Sequence, residues 1–181
     1  MKTHFWPALK LTVFSILFFC VIYPAIVWAV ARFSPTGGNV EWVKKGDQVV
    51  GAKRIGQSFT DDRYFQGRPS AVGYNAAGSA GSNKGPSNPD YLKEIQARID
   101  TFLVHNPGIR RADIPADLVT ASGSGLDPDI SPEGALVQVP RIARLRGISP
   151  EKLQKLVETH TQRSAIGGVA TVNVLELNLA L

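Results

Sequence analysis

Cysteine is almost absent from this chain of 181 residues, and the single cysteine, Cys20, lies inside a long apolar run. The count excludes an intramolecular disulfide, and outside that run it excludes a cysteine metal cluster and a cysteine nucleophile. It does not identify the compartment, because an exported domain with a sufficient core needs no disulfide.

Histidine is also scarce, with three residues scattered along the chain. The neighbouring carboxylates Asp127, Asp129 and Glu133 lack the Asp-x-Asp-x-Asp-Gly ladder that wraps calcium. We therefore expect no metal site and no securely bound cofactor. The net charge of +5 is spread without a basic run, which gives little support to nucleic-acid binding.

Charged side chains are missing between Leu11 and Ala31, a run of 21 residues. As a helix rising 1.5 Å per residue, this run matches the roughly 30 Å hydrocarbon core of a bilayer. We predict one transmembrane helix over residues 11–31, containing Ile16 and Cys20, after a short basic tail over residues 1–10. Pro24 removes one backbone hydrogen bond and is expected to kink the helix.

A cleaved secretory signal is the alternative reading of the same run. Ala29-Val30-Ala31 fits the small-x-small pattern of a cleavage site, but signal h-regions span only about 7 to 15 residues. The length favours an uncleaved anchor. Basic residues flank both ends, so the positive-inside count does not decide the orientation.

Residues 32–181 amount to about 150 residues, the usual size of a single soluble domain. Its apolar and glycine pattern predicts strands over residues 48–52 and 54–59. Residues 67–89 are dominated by glycine, serine, alanine, asparagine and proline, which indicates a long loop. Loops of this length are usually functional or disordered.

Three helices are predicted in the domain, each starting at an Asn-Pro or Ser-Pro pair. They cover residues 89–105, residues 132–145 and residues 151–161, and Pro140 is expected to break or kink the second. Their apolar residues recur at helical spacing. Each helix should therefore bury one face.

The remaining segments are predicted to be extended. Residues 114–120 are read as a short extended piece, and the alternation of Leu175, Leu177, Leu179 and Leu181 with Glu176 and Asn178 predicts a final strand. The fold class is therefore α+β: one amino-terminal transmembrane helix, then one domain of about three helices and a small sheet.

Two glycine-containing segments approach catalytic motifs but fail on spacing. Residues 78–85 place Asn83 where a P-loop needs glycine before its lysine. Gly123-Ser124-Gly125 is not a nucleophile elbow, because Ser122 stands where the first glycine is required. Both observations disfavour a nucleotide-hydrolysing or serine-hydrolase centre.

Aromatic residues and an arginine gather in two neighbouring motifs. Gln57 and Phe59 belong to the first, and Tyr64, Arg68 and Ser70 belong to the second. One interpretation places the aromatic rings in the core and pairs Arg68 with a carboxylate. The other makes the cluster an interface patch, since aromatics and arginine are enriched at binding hot spots.

Several ordered motifs together resemble the KdpC family, the C subunit of the bacterial Kdp potassium-transporting P-type ATPase complex. The resemblance extends over nearly the whole chain. Besides the amino-terminal apolar run it is carried by residues 55–59, 64–71, 81–83, 117–132 and 172–181. The tract 117–132, with its Asp-Pro and Ser-Pro pairs, is a shaped connector that we expect to hold a surface for partner subunits.

The resemblance implies a single-pass subunit of the bacterial inner membrane, with its amino terminus cytoplasmic and its domain periplasmic. Implied partners are the potassium-channel-like subunit KdpA, the ATP-hydrolysing subunit KdpB and the small helical subunit KdpF. It also implies a catalytic chaperone that promotes ATP binding, with ATP and Mg held by the hydrolysing subunit and at most transient ATP contact here. A membrane-tethered enzyme or binding domain unrelated to transport is the alternative.

Candidate interface residues follow from the cluster and the matching motifs together. They are Gln57, Phe59, Tyr64, Arg68, Ser70, Asn83, Ser122 and Asp127. No catalytic residue is expected. Asp129 departs from relatives that often carry histidine there, which puts a proton-sensitive role at that position in doubt.

Overall fold

The structure is a computed structural model that describes residues 2–163 and 167–181. It divides into two compact units, Met1–Glu41 and Trp42–Leu181. The first unit is dominated by one apolar helix, and the second is the α+β domain.

The first unit contains α1 (Lys2–Leu17), a π-helical turn (Phe18–Ile22) and α2 (Tyr23–Ala31). Within it, His4–Ala31 is long and apolar enough to cross a membrane, with a mean hydropathy of 2.4 and no burial inside the unit. The predicted span of residues 11–31 lies inside this helix, which simply begins earlier.

Pro24 was expected to kink the helix. The structure instead has a wider, π-helical turn just before this proline. The Tyr23 N–H donates to Phe18 O, five residues back instead of four. A π-turn of this kind creates room ahead of a proline ring that would otherwise meet the preceding turn.

The domain begins with an antiparallel hairpin of β1 (Trp42–Lys45) and β2 (Gln48–Ala52). The sequence predicted β2 but missed β1. The predicted strand over residues 54–59 is wrong, because this segment has no ladder partner and instead sends the Gln57 side chain to Val50 O at 3.1 Å.

The predicted helices are confirmed as α3 (Pro89–His105), α4 (Pro132–Leu136) with α5 (Val139–Arg146), and α6 (Pro150–His160). Asn88 caps α3 by accepting from Asp90 N at 2.9 Å. The second predicted helix is broken between α4 and α5, just ahead of Pro140, because proline is tolerated in the first turn of a helix and not in its interior.

Two extended predictions are wrong. Residues 114–120 contain a 3₁₀ turn, Ala116–Leu118. The chain end contains only the short strand β5 (Thr171–Asn173), after which α7 (Val174–Leu179) begins. Asn173 stops the strand and caps this helix, because its side chain accepts from Glu176 N at 3.0 Å.

The second sheet has the order β3–β5–β4, all antiparallel, with β3 at Asp129–Ile130 and β4 at Thr161–Gln162. Helices α4 to α7 pack with it around one core. Its most deeply buried apolar side chains are Phe65, Ile130, Ala135, Val139, Ile142, Leu153, Val157, Val172 and Leu177. The α+β class is confirmed.

Candidate functional site: the connector, the glycine-rich loop and an adjoining groove

The connector (Asp117–Pro132) is held against the glycine-rich loop that precedes α3. At its centre, Arg68 Nη1 lies 2.9 Å from Asp127 Oδ2, with both side chains about one-quarter exposed. The Tyr74 hydroxyl donates to Arg68 O, and Asp129 N donates to Asp127 Oδ1 at 3.1 Å. The expected carboxylate partner of Arg68 is therefore Asp127.

Ser70 ties the same two segments together through one hydroxyl. It donates to Gly125 O at 2.6 Å and accepts from Val72 N and Tyr74 N at 3.2 and 2.9 Å. Beside it, the backbone N–H of Ser122, a predicted interface residue, donates to Pro69 O at 3.1 Å. Ser122 itself is buried.

Two glycines permit the close approach of these segments. A Cβ on Gly56 would lie 2.4 Å from Asp127 O, so no other residue fits without movement of the connector backbone. Gly125 has a φ of +66°, and its Cβ would lie 2.8 Å from Ala80 O. Gly56 and Gly125 thus allow the connector backbone to approach its neighbouring segments closely.

The carboxyl-terminal part of the connector is fixed to its beginning. Asp117 accepts from Ser131 N at 2.7 Å and from Ser131 Oγ at 3.1 Å. The same Oγ accepts from Gly134 N at 2.9 Å, which caps α4. The connector is consequently closed on itself before the helix starts.

Asp129 lies where β3 meets β5 and is half-buried. Burial raises the pKa of its carboxyl, and the neighbouring Asp127 carboxylate raises that pKa further. Asn173 Nδ2 partly opposes this effect by donating to Asp129 Oδ1 at 3.2 Å. Asn173 Nδ2 also donates to Lys53 O at 2.8 Å, so it links three segments.

Three other predicted interface residues line a separate groove, and one of them, Phe59, also lines an open cavity that contains Arg68 and Tyr74. Gln57, Phe59 and Tyr64 line an open groove of about 500 Å³, together with Lys45 and Arg146. Apolar side chains of α7 and the chain end complete its lining.

Arg146 covers the aromatic part of this groove. Its guanidinium carbon lies 4.7 Å from the centroid of the Tyr64 ring, within cation–π range. Its Nε donates to Arg63 O at 2.7 Å. The Phe59 and Tyr64 rings are 6.2 Å apart. Among the described residues, the lining contains two cations and no carboxylate side chain.

Asn83 is exposed in the glycine-rich loop and has a φ of +53°. Its side chain makes no hydrogen bond to any residue in the described ranges, so the structure does not join it to Arg68 and Asp127. The eight predicted residues thus form a connector group, a groove group with Phe59 lining cavities beside both, and this separate asparagine.

Sequence reasoning missed a buried polar network behind the Tyr64–Gly67 segment. Gln138 is fully buried, and its amide accepts from Gln66 N at 2.8 Å and donates to Gln66 O at 3.1 Å. Asn178 does the same for Phe65, with distances of 2.8 and 2.9 Å. Two side-chain amides therefore pair with the backbone N–H and C=O groups of Phe65 and Gln66, as a neighbouring β-strand would.

Arg141 completes this network from the buried face of α5. It donates to Asp62 Oδ1 at 3.0 Å, to Tyr64 O at 3.2 Å and to Gln138 Oε1 at 2.8 Å. The one signal in the sequence was the position of Gln138 and Arg141 among apolar residues of a predicted helix.

Asp62 also pairs with His105 at the end of α3, with 2.9 Å between the ring Nδ1 and the carboxylate. This hydrogen bond lowers the pKa of Asp62, and Arg141 acts in the same direction.

Elsewhere, His160 Nδ1 lies 2.8 Å from Leu156 O, and Ser124 Oγ accepts from Leu126 N at 3.1 Å. Within residues 2–163 and 167–181, no group of three or more His, Cys, Asp or Glu side chains is placed to hold a metal ion.

These features define a class: an α+β domain with tightly joined polar loops, preceded by one apolar helix of membrane-spanning length. A family model described as KdpC, the K⁺-transporting ATPase c chain, matches residues 5–181. The chain belongs to the KdpC family and is thereby assigned as a subunit of a potassium-transporting ATPase complex.

Similar proteins named potassium-transporting ATPase KdpC subunit agree with this assignment. The protein of Flavobacterium psychrophilum is 56% identical over 173 residues, covering 96% of this chain and 94% of the relative. That of Bacteroides fragilis is 49% identical over 179 residues, with coverage of 96% and 94%. That of Bacillus cereus is 45% identical over 181 residues, with coverage of 97% and 93%.

Proposed function

We propose that this chain is a non-catalytic accessory subunit of an ATP-driven, high-affinity potassium uptake complex. It assists assembly of that complex and acts as a catalytic chaperone that promotes ATP binding by the hydrolysing subunit. Its partners are the potassium-channel-like KdpA, the ATP-hydrolysing KdpB and the small helical KdpF. ATP and Mg are held by the hydrolysing subunit.

The observation that carries this proposal is the use of the polar groups in the connector and in the glycine-rich loop beside it. Ser70, Asp127 and Asp117 make hydrogen bonds that join one backbone segment to another. A nucleophile or base would need to face a substrate, whereas these groups give the surface a fixed shape. Fixed surfaces suit binding, because little side-chain freedom is lost on association.

The groove offers a second contact region for a partner subunit. Phe59 and Tyr64 supply aromatic area, and Lys45 and Arg146 supply positive charge. Aromatic residues and arginine are the side chains most often found at binding hot spots. A partner segment with an acidic residue and an apolar anchor would match this lining.

The proposed topology places the apolar helix across the inner membrane, with the amino terminus cytoplasmic and the domain periplasmic. ATP is then on the opposite side of the membrane from the connector. Promotion of ATP binding must consequently pass through the helix or through partner subunits, which requires two states that the contacts distinguish.

The proposal is tested by purifying the complex with and without this chain. We expect the complex lacking the chain to assemble poorly and to require more ATP for half-maximal potassium-stimulated hydrolysis. The chain purified alone should not hydrolyse ATP. Unchanged assembly and ATP dependence in its absence, or hydrolysis by the chain alone, would contradict the proposal.

Orientation has its own test in protease accessibility. The domain should be cleaved when protease is added to spheroplasts and protected in inverted vesicles. The opposite pattern would place the domain beside the ATP-binding side and would replace indirect coupling with direct nucleotide contact.

A further inference from the structure

The widened turn and Pro24 together remove backbone donors from the middle of the apolar helix, and Phe19 O loses both its i+4 and its i+5 donor. In a regular α-helix, Phe19 O would accept from the Tyr23 N–H four residues later. Here the Tyr23 N–H donates to Phe18 O instead. The N–H five residues after Phe19 would belong to Pro24, which has none. Both backbone donors that could reach Phe19 O are therefore engaged or missing.

Side chains of the helix do not replace this donor. Isoleucine and proline have no side-chain donor, and the hydroxyl of Tyr23 lies at the far end of its ring. Thr12 Oγ1 donates to Ala8 O at 3.0 Å, and no other side-chain hydrogen bond occurs within His4–Ala31. The Phe19 carbonyl is thus available to a donor from outside the chain.

The position of this carbonyl makes the missing bond costly. Phe19 lies near the middle of the apolar stretch His4–Ala31, far from both of its ends. At that depth neither water nor lipid tails offer a donor, and an unsatisfied backbone group in hydrocarbon is strongly unfavourable. Irregular backbone at membrane depth is tolerated where other protein covers it.

We propose that the Phe19 carbonyl is a docking point for a neighbouring transmembrane helix of the transport complex, which supplies a hydroxyl or carboxamide donor. This inference rests on the proposed function, because it requires the helix to span the membrane beside partner subunits. Ser, Thr, Asn and Gln side chains are the groups that bond across helices in membranes. A charged donor is disfavoured, since a charge at mid-membrane carries a high desolvation cost.

A small residue lies in the same π-helical turn as Phe19. Cys20 is small, and it is exposed on the surface of the π-helical turn. Small residues allow helix backbones to come near one another in membranes, which a bond to a backbone oxygen requires. Pro24 therefore serves recognition by exposing a specific acceptor.

The first test is Pro24→Ala in the full chain, expressed with its partner subunits. The substitution restores a backbone N–H, so the helix can return to α geometry and satisfy its own carbonyls. The partner's donor then loses its acceptor, and we expect the chain to be retained in the purified complex about threefold less under stringent detergent washing. Pro7→Ala is the matched control, because Pro7 lies in α1 away from the π-turn.

The second test observes the carbonyl directly. Cys20 is the only cysteine and follows Phe19, so ¹³C at phenylalanine carbonyls and ¹⁵N at cysteine give one labelled ¹³C–¹⁵N pair in this chain. The labelled chain is combined with separately prepared, unlabelled partner subunits. We expect the Phe19 carbonyl resonance to move downfield on assembly, as hydrogen-bonded carbonyls do, and Pro24→Ala to abolish this change.

The outcomes separate this inference from the proposed function. If the chain does not assemble with the partner subunits at all, the proposed function fails together with the inference. If it assembles but the Phe19 resonance does not move and Pro24→Ala is retained like Pro7→Ala, the inference alone is overturned. A downfield shift in the chain alone at high concentration would assign the donor to a second copy and overturn the partner assignment.

Discussion

Two largely irregular stretches of the domain are held in different ways. The Tyr64–Gly67 segment is fixed by Gln138, Asn178 and Arg141, which are at most 7% exposed. The connector is fixed mainly by Ser70 and by the Arg68–Asp127 pair, whose side chains remain about one-quarter exposed. The first arrangement belongs to the folded core, and the second leaves its polar groups partly exposed.

The difference has an energetic consequence. A buried polar group that loses its partner retains its full desolvation cost, whereas an exposed one recovers hydrogen bonds from water. Substitutions behind Tyr64–Gly67 should therefore strongly lower the stability of the domain. Substitutions at the connector should alter its surface with smaller effects on stability.

Arg141→Ala should have the largest effect on stability. Removing this side chain leaves Asp62, Tyr64 O and Gln138 without a shared donor and opens a cavity beside α5. We expect a loss of about 2 to 4 kcal/mol in the free energy of unfolding, because Tyr64 O and Gln138 Oε1 lose a buried donor. Thermal unfolding of the full chain measures this loss, and Arg144→Ala on the exposed side of α5 is the control. Equal stability of the two variants would contradict the role given to Arg141.

Asn178→Ala should rank second. It removes the amide that pairs with both backbone groups of Phe65, leaving a buried N–H and C=O unsatisfied. The expected loss is about 2 to 3 kcal/mol. Gln154→Ala, an exposed amide on α6, should change stability by less than about 0.5 kcal/mol. Denaturant titration would measure both losses of stability. Equal losses for Asn178→Ala and Gln154→Ala would contradict the distinction between the two stretches.

Ser70→Ala should cost less, because Ser70, Val72 and Tyr74 are only partly buried. Loss of the bond to Gly125 O and of two accepted N–H bonds should lower stability by about 1 kcal/mol. Hydrogen exchange should increase at Val72 and Tyr74 in particular. Ser87→Ala, in an exposed part of the same loop, provides the comparison, and equal exchange in both variants would argue against the proposed tie.

Asp129→Asn should give the smallest change in stability, and it should raise stability where the three preceding variants lower it. The pKa of Asp129 is raised in the folded chain above its ordinary value of 3.8, so ionising this group opposes folding as pH rises above that value. Replacement by asparagine should stabilise the domain at neutral pH, with the gain disappearing as pH falls below about 4. A gain that grew on acidification would show that the sign is wrong.

Sequence signals predicted the parts of the fold that are set locally. Asn88 with Pro89 starts a helix whatever surrounds it, and Pro140 separates two helices because it cannot occupy a helix interior. The same holds for the apolar run of the first unit, whose length and composition alone make it a span candidate.

Tertiary contacts decided the parts that the sequence mispredicted. The leucines after Asn173 alternate as in a strand, yet the Asn173 cap and burial on two sides make this segment a helix. Gln57 turns its side chain to β2, so its segment does not join a ladder. Arg141 and Gln138 gave only the weak signal of polar residues on an apolar face, since their partners lie more than 70 residues away in the chain.

The candidate site shows the same division. The pairing of Arg68 with a carboxylate was foreseen as a type of contact, but Asp127 could be named only from the structure, because 59 residues separate the two. The groove around Phe59 and Tyr64 depends on Arg146, which no motif identified. Local patterns therefore indicated the residues, and the fold determined which of them meet.

The central claim is that the connector surface serves binding, and Arg68→Ala tests it most directly in one comparison of two readouts. The account predicts a thermal midpoint within a few degrees of the unsubstituted chain, together with clearly weaker retention of the chain in the purified complex. Arg110→Ala, which breaks an exposed ion pair with Asp113, should change neither readout. Unfolding of Arg68→Ala, or full retention in the complex, would contradict the account.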